Sequence, residues 1–95
     1  MDIEIAIIAA KNGDAAALVD AMNSGGGLDA LLSVPGCLSA RVLPGIEQPG
    51  NVLFLVEWES VDAHNAGRAS EGFGRFKEIA GPFFGDGAMM QHFRA

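Results

Sequence analysis

The sequence is poor in the residues that build disulfides, zinc sites and nucleic-acid interfaces. Cys37 is its only cysteine, so we expect no internal disulfide and no paired-cysteine zinc site, but a buried or half-buried, inert thiol. Lys and Arg number 6 against 12 Asp and Glu, which gives a net charge of −6, and no basic run occurs. Such a chain repels phosphate backbones, so nucleic acid is not an expected partner.

Long apolar runs are also missing, and the first residues lack the basic and apolar regions of a secretory signal. Apolar stretches such as residues 52–56 and 15–19 are far shorter than the ~20 residues of a membrane span. Asp2 and Glu4 stand where a secretory signal carries basic residues, so we expect no membrane contact and a cytoplasmic protein. With 95 residues, 49% of them apolar and 19% charged, the sequence predicts one packed domain over residues 1–95.

The first half of the chain predicts two strands separated by helical segments. Residues 2–9 are rich in isoleucine and alternate with a period of two, which is typical of a strand. Residues 14–23 have helical spacing, and the glycine run at 25–27 ends that helix before a short second helical piece. Residues 37–43 lie between two Pro-Gly pairs and predict an edge strand.

The second half predicts strand, helices and strand. Residues 52–58 form a continuous apolar run, as expected for a central strand buried on both faces. Ser60 and Ser70 are predicted helix N-caps, and residues 88–94 alternate as a final strand. The order β-α-β-β-α-β predicts an α+β, ferredoxin-like fold: a four-stranded antiparallel sheet with its helices on one face and its first and third strands in the middle.

The predicted sheet has an apolar face that no helix of the same chain covers. The third strand is apolar on both sides, with Phe54 and Val56 on one and Leu53 and Leu55 on the other. Burial of apolar surface is worth roughly 25 cal/mol per Å², so the second face needs a cover. We therefore expect a homodimer that packs sheet against sheet.

Four segments share features with one known family: Leu55-Val56-Glu57-Trp58-Glu59-Ser60, Asp62-Ala63-His64, Ser70-Glu71-Gly72-Phe73 and Met90-Gln91-His92-Phe93. Together they resemble the antibiotic biosynthesis monooxygenase (ABM) family of dimeric α+β barrels, and the element order agrees over nearly the whole chain. The resemblance implies a homodimer that binds a small aromatic or apolar ligand. It also implies oxidation of electron-rich aromatic substrates, such as hydroquinones and polyketide anthrones, without metal, flavin or another cofactor.

The chain differs from two branches of that family at named positions. The polyketide-oxidising branch has an Asn and a Tyr where this sequence has Phe54 and His64. The haem-degrading branch has a Trp and a His where this sequence has Gly67 and Lys77. Haem degradation is therefore disfavoured.

Trp58 and His64 are the candidate catalytic pair. His64 falls about one turn into the helix that follows the third strand, which can bring both side chains to one end of the sheet. An imidazole suits a general base for a phenolic proton, and an indole can stack on a flat ligand. A plain core tryptophan and a surface or capping histidine remain open. The expected pocket residues are Phe54, Phe73 and Phe76.

The sequence gives weaker predictions for several other residues. His92 is expected to be structural, and the wide separation of the histidines and the cysteine predicts no metal site. Arg41, Arg68 and Arg75 are more commonly surface ion-pair partners than anion ligands. The pair Phe83-Phe84 lies in an expected loop, where it would flank a pocket mouth or a dimer interface.

The leading functional hypothesis is a cofactor-independent monooxygenase acting on a small aromatic, quinol or polyketide-like substrate. The alternatives are a non-catalytic dimeric module that binds a small ligand or plays an accessory role, and an isomerase or other proton-transfer enzyme for a small carbonyl compound. An open cavity near Trp58 and His64 with a polar group for a substrate oxygen favours an enzyme. A cavity filled by Phe54, Phe73 and Phe76 favours the module.

Overall fold

The computed structural model describes all 95 residues. Its elements are β1 (Asp2–Ala10), α1 (Ala15–Asn23), α2 (Gly27–Leu32), β2 (Cys37–Pro44), β3 (Asn51–Trp58), α3 (Val61–Gly67), α4 (Glu71–Ala80) and β4 (Phe84–Arg94). Single 3₁₀ turns at Lys11–Gly13 and Gly81–Phe83 follow β1 and α4. No helix is both long enough and apolar enough to cross a lipid bilayer.

The four strands form one antiparallel sheet in the order β2-β3-β1-β4. The first and third strands therefore lie in the middle and β2 lies at an edge, which confirms the predicted ferredoxin-like arrangement. Glu4 of β1 pairs with Val56 of β3 on one side and with His92 of β4 on the other. This register brings residues from both ends of the sequence together on one face of the sheet.

Local chemistry explains where the helices begin. Asp14, Ser60 and Ser70 are the N-caps of α1, α3 and α4, and each side chain accepts a hydrogen bond from the backbone N–H three residues later. Gly26 separates α1 from α2 with a φ of 93°, in the left-handed region that favours glycine. The predicted caps and the helix interruption are confirmed.

The last strand begins earlier than the sequence predicts. It starts at Phe84, not at residue 88, and a register shift opposite Ile8 and Ala10 lets it continue through Gly85-Asp86-Gly87. Gly87 has a φ of 108°, and a side chain at Gly85 would meet the carbonyl oxygen of Ala10 at 2.9 Å. In sequence these glycines are typical of a loop, but here they lie within an irregular strand. Phe84, which pairs with Ala10, therefore belongs to the sheet and not to a loop.

The two faces of the sheet have different neighbours. The helix-covered face supplies much of the core, which includes Ala6, Val42, Val52, Phe54, Val56 and Trp58. The opposite face is mostly apolar: Ser39, Arg41, Glu57 and Gln91 share it with eight half-buried or exposed apolar residues, Ile3, Ile5, Ile7, Leu43, Leu53, Leu55, Met89 and Phe93. We call these eight residues the outer face. The predicted second apolar face is thus confirmed, and no element of the same chain covers it.

Candidate active site

A cavity of about 330 Å³ lies against the helix-covered face of the sheet. Its size falls at the lower end of the ~300–1,000 Å³ common for small-molecule sites. Phe54, Phe73 and Phe76, the expected pocket residues, all line it, and Phe84 joins them through edge-to-face contacts with Phe54. Most of the wall is apolar, and the exceptions are Glu4, His64 and Arg68.

Trp58 forms a fully buried wall at one end of the cavity. Its exposed fraction is 0%, and the indole Nε1–H donates a hydrogen bond to Glu4 Oε1 at 2.9 Å. One face of the ring stacks on His64, with the centroids 4.5 Å apart and the planes 10° from parallel. The indole therefore holds a carboxylate and an imidazole in place, and His64 occupies the ring face on which a ligand was expected to stack.

His64 lies in α3, where the Ser60 cap fixes the first turn, and only 3% of its surface is exposed. Its Nδ1 is 2.9 Å from His92 Nε2, and its Nε2 is 3.5 Å from Glu4 Oε1. Burial, with smaller contributions from the positive charges of Arg68 and His92, lowers the pKa of His64 to about 4. The imidazole is thus neutral at physiological pH.

Glu4 is the polar centre of the site. Burial raises the pKa of its carboxyl group above 4.5, and the Trp58 hydrogen bond opposes this shift only in part. Glu4 Oε1 is engaged by Trp58, whereas Oε2 has no hydrogen-bond partner. Since no buried side-chain oxygen lacks a partner, Oε2 keeps some exposure, and Glu4 is one of the residues that line the cavity. A carboxylate oxygen is therefore available to a bound ligand.

Sequence reasoning did not select Glu4 or His92. His92, which was expected to be structural, lies opposite Glu4 on the neighbouring strand and contacts His64. The alternation of β1 contained a usable sign, because Glu4 shares its strand face with Ala6 and Ala10, both of which are buried. A carboxylate on the core side of a strand needs a polar partner, and that requirement points to a site.

Glu4, His64 and His92 are also the residues that could hold a metal. Each offers one ligand atom, and these atoms lie within 4.8 Å of one another. The sequence positions are far apart, which is why their spacing predicted no metal site. The fold, and not a local motif, assembles this set.

Arg68 has no close carboxylate partner, unlike Arg75 and Arg94. Arg75 pairs with Glu71 and Arg94 with Asp2, each at 3.9 Å. Arg68 has no carboxylate within 4.0 Å, is exposed, and lines the cavity. It therefore places a positive charge without a close ion-pair partner at the cavity, where it acts on the pKa values of Glu4 and His64.

Cys37 lies in surroundings that make its thiol unreactive. The Cys37 thiol is half-buried, and burial, reinforced by the Glu4 carboxylate, raises its pKa to about 11. Little thiolate forms near neutral pH, which agrees with the expected inert cysteine.

Comparison with family models assigns the chain to a protein family. The ABM family model, described as antibiotic biosynthesis monooxygenase, matches residues 1–79 of the 95. The chain belongs to the ABM family. No curated protein matches it.

Solved structures of other proteins share the fold. A candidate antibiotic biosynthesis monooxygenase from Bordetella bronchiseptica is 24% identical with a TM-score of 0.86, and the match covers 99% of this chain and 95% of that one. A second candidate from Caulobacter crescentus is 19% identical with a TM-score of 0.76, over 99% and 88%. Rv0793 from Mycobacterium tuberculosis is 14% identical with a TM-score of 0.73, over 99% and 93%. At these identities the likeness establishes the ABM fold alone.

Proposed function

We propose that this ABM-family protein is a small oxygenase that oxidises a flat, weakly acidic aromatic compound with molecular oxygen and needs no bound cofactor. The observation that supports this most strongly is the aromatic-lined cavity of about 330 Å³ with the Glu4 carboxylate and His64 at one end. The cavity is open and holds a polar group for a substrate oxygen or acidic proton. An open site of this kind favours an enzyme over a filled binding module.

The proposed reaction converts an activated methylene, as in an anthrone, to a carbonyl: R₂CH₂ + O₂ gives R₂C=O + H₂O. A base first removes one proton, and the resulting carbanion reduces O₂ by one electron. The two radicals combine to a peroxide anion, R₂CH–OO⁻, which takes back the proton. Loss of water from R₂CH–OOH then breaks the O–O bond and leaves the carbonyl. Substrate supplies all the electrons, so neither metal nor flavin is required.

Glu4 and His64 together form the proposed proton acceptor. Both residues line the cavity, and His64 Nε2 is 3.5 Å from Glu4 Oε1. Glu4 is proposed to take the substrate proton, and the pair is proposed to return it to the peroxide. Because burial raises the pKa of Glu4, the carboxylate is a stronger base than an exposed one. Trp58 is proposed to position this pair through its hydrogen bond and its stacking contact. The phenyl rings of Phe54, Phe73 and Phe76 would hold the flat substrate.

Arg68 is proposed to stabilise the anion that forms after proton removal. Arg68 has no carboxylate within 4.0 Å and lines a cavity whose wall is mostly apolar. A positive charge next to a developing anion in a poorly solvated site lowers the barrier. The Arg68→Gln variant should therefore lose about 10- to 10²-fold in turnover with little change in melting temperature, because the residue is exposed.

The matched control for Arg68 is Arg75→Gln. Arg75 is also an exposed helix-associated arginine, but it pairs with Glu71 and does not line the cavity. Turnover measured in parallel should be near wild type for this control. Equal activity of the two variants would show that Arg68 does not act on the reaction.

An isomerase remains the second candidate, and the Glu4 site is the observation that favours it. A buried carboxylate of raised pKa beside an apolar cavity can move a proton between two carbons of a carbonyl compound without oxygen. The two candidates share the site and the first proton transfer. They differ in whether turnover consumes O₂.

Oxygen uptake by the purified protein tests the proposal. The protein is mixed with a panel of hydroquinones and anthrones in the presence of a metal chelator, and dissolved oxygen is followed with an electrode. We expect uptake above the uncatalysed rate for at least one substrate, with loss of that excess in Glu4→Gln. Uptake equal to the protein-free rate across the panel, for substrates shown by Trp58 fluorescence to bind, would contradict an oxygenase.

A further inference from the structure

The polar end of the cavity carries a second arrangement that the proposed function does not use. We propose that Glu4, His64 and His92 form a binding site for a divalent transition-metal ion. His64 Nδ1 and His92 Nε2 form a hydrogen bond at 2.9 Å, and one ligand atom from each of the three residues lies within 4.8 Å of the others, so a bound ion would take the place of the shared proton. This inference goes beyond the proposed function, and ion binding does not depend on it.

The donor set selects the class of ion. Two imidazoles and a carboxylate suit Zn²⁺, Fe²⁺, Co²⁺ and Ni²⁺, whereas Mg²⁺ and Ca²⁺ prefer sites built from oxygen alone. No cysteine belongs to the cluster, so a thiolate-seeking ion such as Cu⁺ is not favoured. The site should therefore discriminate first-row transition metals from the alkaline-earth ions.

The spacing of the nitrogens agrees with ligation by one ion. Metal–imidazole bonds of ~2.0–2.1 Å at a right angle place two nitrogens about 3 Å apart, close to the 2.9 Å between His64 and His92. The ligand atom of Glu4 lies within 4.8 Å of the ligand atoms of both histidines.

Neighbouring groups support the three ligands. The Trp58 indole N–H donates to Glu4 Oε1, which is the kind of outer hydrogen bond that orients a metal-binding carboxylate. The stacked indole also fixes the plane of the His64 ring. Since Glu4 and His64 line the cavity, the remaining coordination positions of an ion would open into it.

A bound ion and the cofactor-free reaction exclude each other at this site. Ligation uses the lone pair of a His64 nitrogen and the charge of Glu4, the same groups that are proposed to handle the substrate proton. An added transition metal should therefore inhibit chelator-resistant turnover. This expectation is the only part of the inference that rests on the proposed function.

The probe is Co²⁺ added to chelator-treated, desalted protein, followed by its visible absorption bands and by the melting temperature. We expect saturation at one ion per chain and a rise in melting temperature, because an ion that binds the folded state stabilises it. His92→Gln and Glu4→Gln should each remove the saturable signal. Trp58→Phe, which keeps an aromatic side chain but loses the hydrogen bond to Glu4, should weaken binding about 10- to 100-fold.

Two controls separate the site from nonspecific binding by an acidic chain. Glu59→Gln removes an exposed carboxylate outside the cluster and should leave the Co²⁺ affinity unchanged. Mg²⁺ should produce no rise in melting temperature at the Co²⁺ concentration that saturates the site. Circular dichroism without metal establishes that each variant is folded, and having two ligand variants keeps the test valid if one is unstable.

The inference is overturned if folded wild-type protein gives no Co²⁺ bands and no rise in melting temperature. It is also overturned if His92→Gln and Glu4→Gln, both folded, bind Co²⁺ as wild type does. Oxygen uptake then separates the two proposals. Turnover that resists chelator and is inhibited by Co²⁺ supports both. Turnover that chelator abolishes and Fe²⁺ restores would retain the metal site and reject the cofactor-free reaction.

Discussion

Replacing Glu4 with glutamine is expected to lower turnover by about 10²- to 10⁴-fold, the usual contribution of a general base. Glutamine keeps the shape of the side chain, and its carbonyl oxygen can still accept the Trp58 N–H, but it cannot take a proton. The measurement is the rate of oxygen uptake with the best substrate of the panel. A folded Glu4→Gln variant that works at the wild-type rate would remove Glu4 from the mechanism.

Two controls distinguish lost chemistry from lost structure in that experiment. Glu78→Gln makes the same change on the exposed surface of α4 and should keep wild-type turnover. The melting temperature of Glu4→Gln should be no lower than that of wild type. Burial raises the folded-state pKa of Glu4 above its unfolded value, so the ionised carboxylate costs stability at neutral pH, and glutamine removes that cost.

His64 is a less clean probe than Glu4. It is 3% exposed, stacks on Trp58 and is within 2.9 Å of His92, so alanine would leave a gap and an unpartnered nitrogen. Such losses typically cost about 1–3 kcal/mol. Stability and turnover would change together in His64→Ala, and for this reason the proton-transfer role is better tested at Glu4.

The second large effect concerns the outer face. Wild-type protein should sediment at micromolar concentration as a dimer of the 9.9 kDa chain, because eight apolar side chains of the sheet have no cover within one chain. Leu55 and Ile5 pair across the two central strands in the middle of that face. We expect Leu55→Glu to convert the dimer to monomer, since dimerisation would bury an unpaired charge.

The matched control is Leu32→Glu, an equally drastic change at an exposed leucine at the end of α2 and away from the sheet. It should remain dimeric in the same sedimentation run. If Leu55→Glu does not fold, the wild-type protein still decides the question, because the melting temperature of a dimer rises with protein concentration. A wild-type chain that sediments as a stable 9.9 kDa monomer would contradict the homodimer.

Most of the fold could be predicted because each element has a local cause. Alternation in residues 2–9, the apolar run at 52–58 and the capping residues Ser60 and Ser70 each specify one element without help from distant parts of the chain. The start of β4 was missed for the opposite reason. Gly85 and Gly87 are typical of loops, and only the approach of Ala10 shows that a strand needs them there.

The site could be predicted only in part. Trp58 and His64 are six residues apart, so the strand-to-helix geometry suffices to bring them to one cavity. Glu4 and His92 join them through pairing of β1 with its two neighbours, and strand period alone does not reveal which residues stand opposite each other. The stacking of His64 on the Trp58 indole could not be predicted from the sequence either, because it depends on the placement of α3 over the sheet.

The incorporation of labelled oxygen tests the oxygenase proposal most directly. The protein is incubated with ¹⁸O₂ and an anthrone-type substrate in unlabelled water with chelator present, and the product is analysed at once by mass spectrometry. The proposed reaction predicts one ¹⁸O atom in the new carbonyl group and its absence when Glu4→Gln replaces the wild-type protein. A product that forms equally fast without O₂, or that carries oxygen from water before any exchange, would contradict the oxygenase and leave the isomerase or another proton-transfer enzyme as the better account of this site.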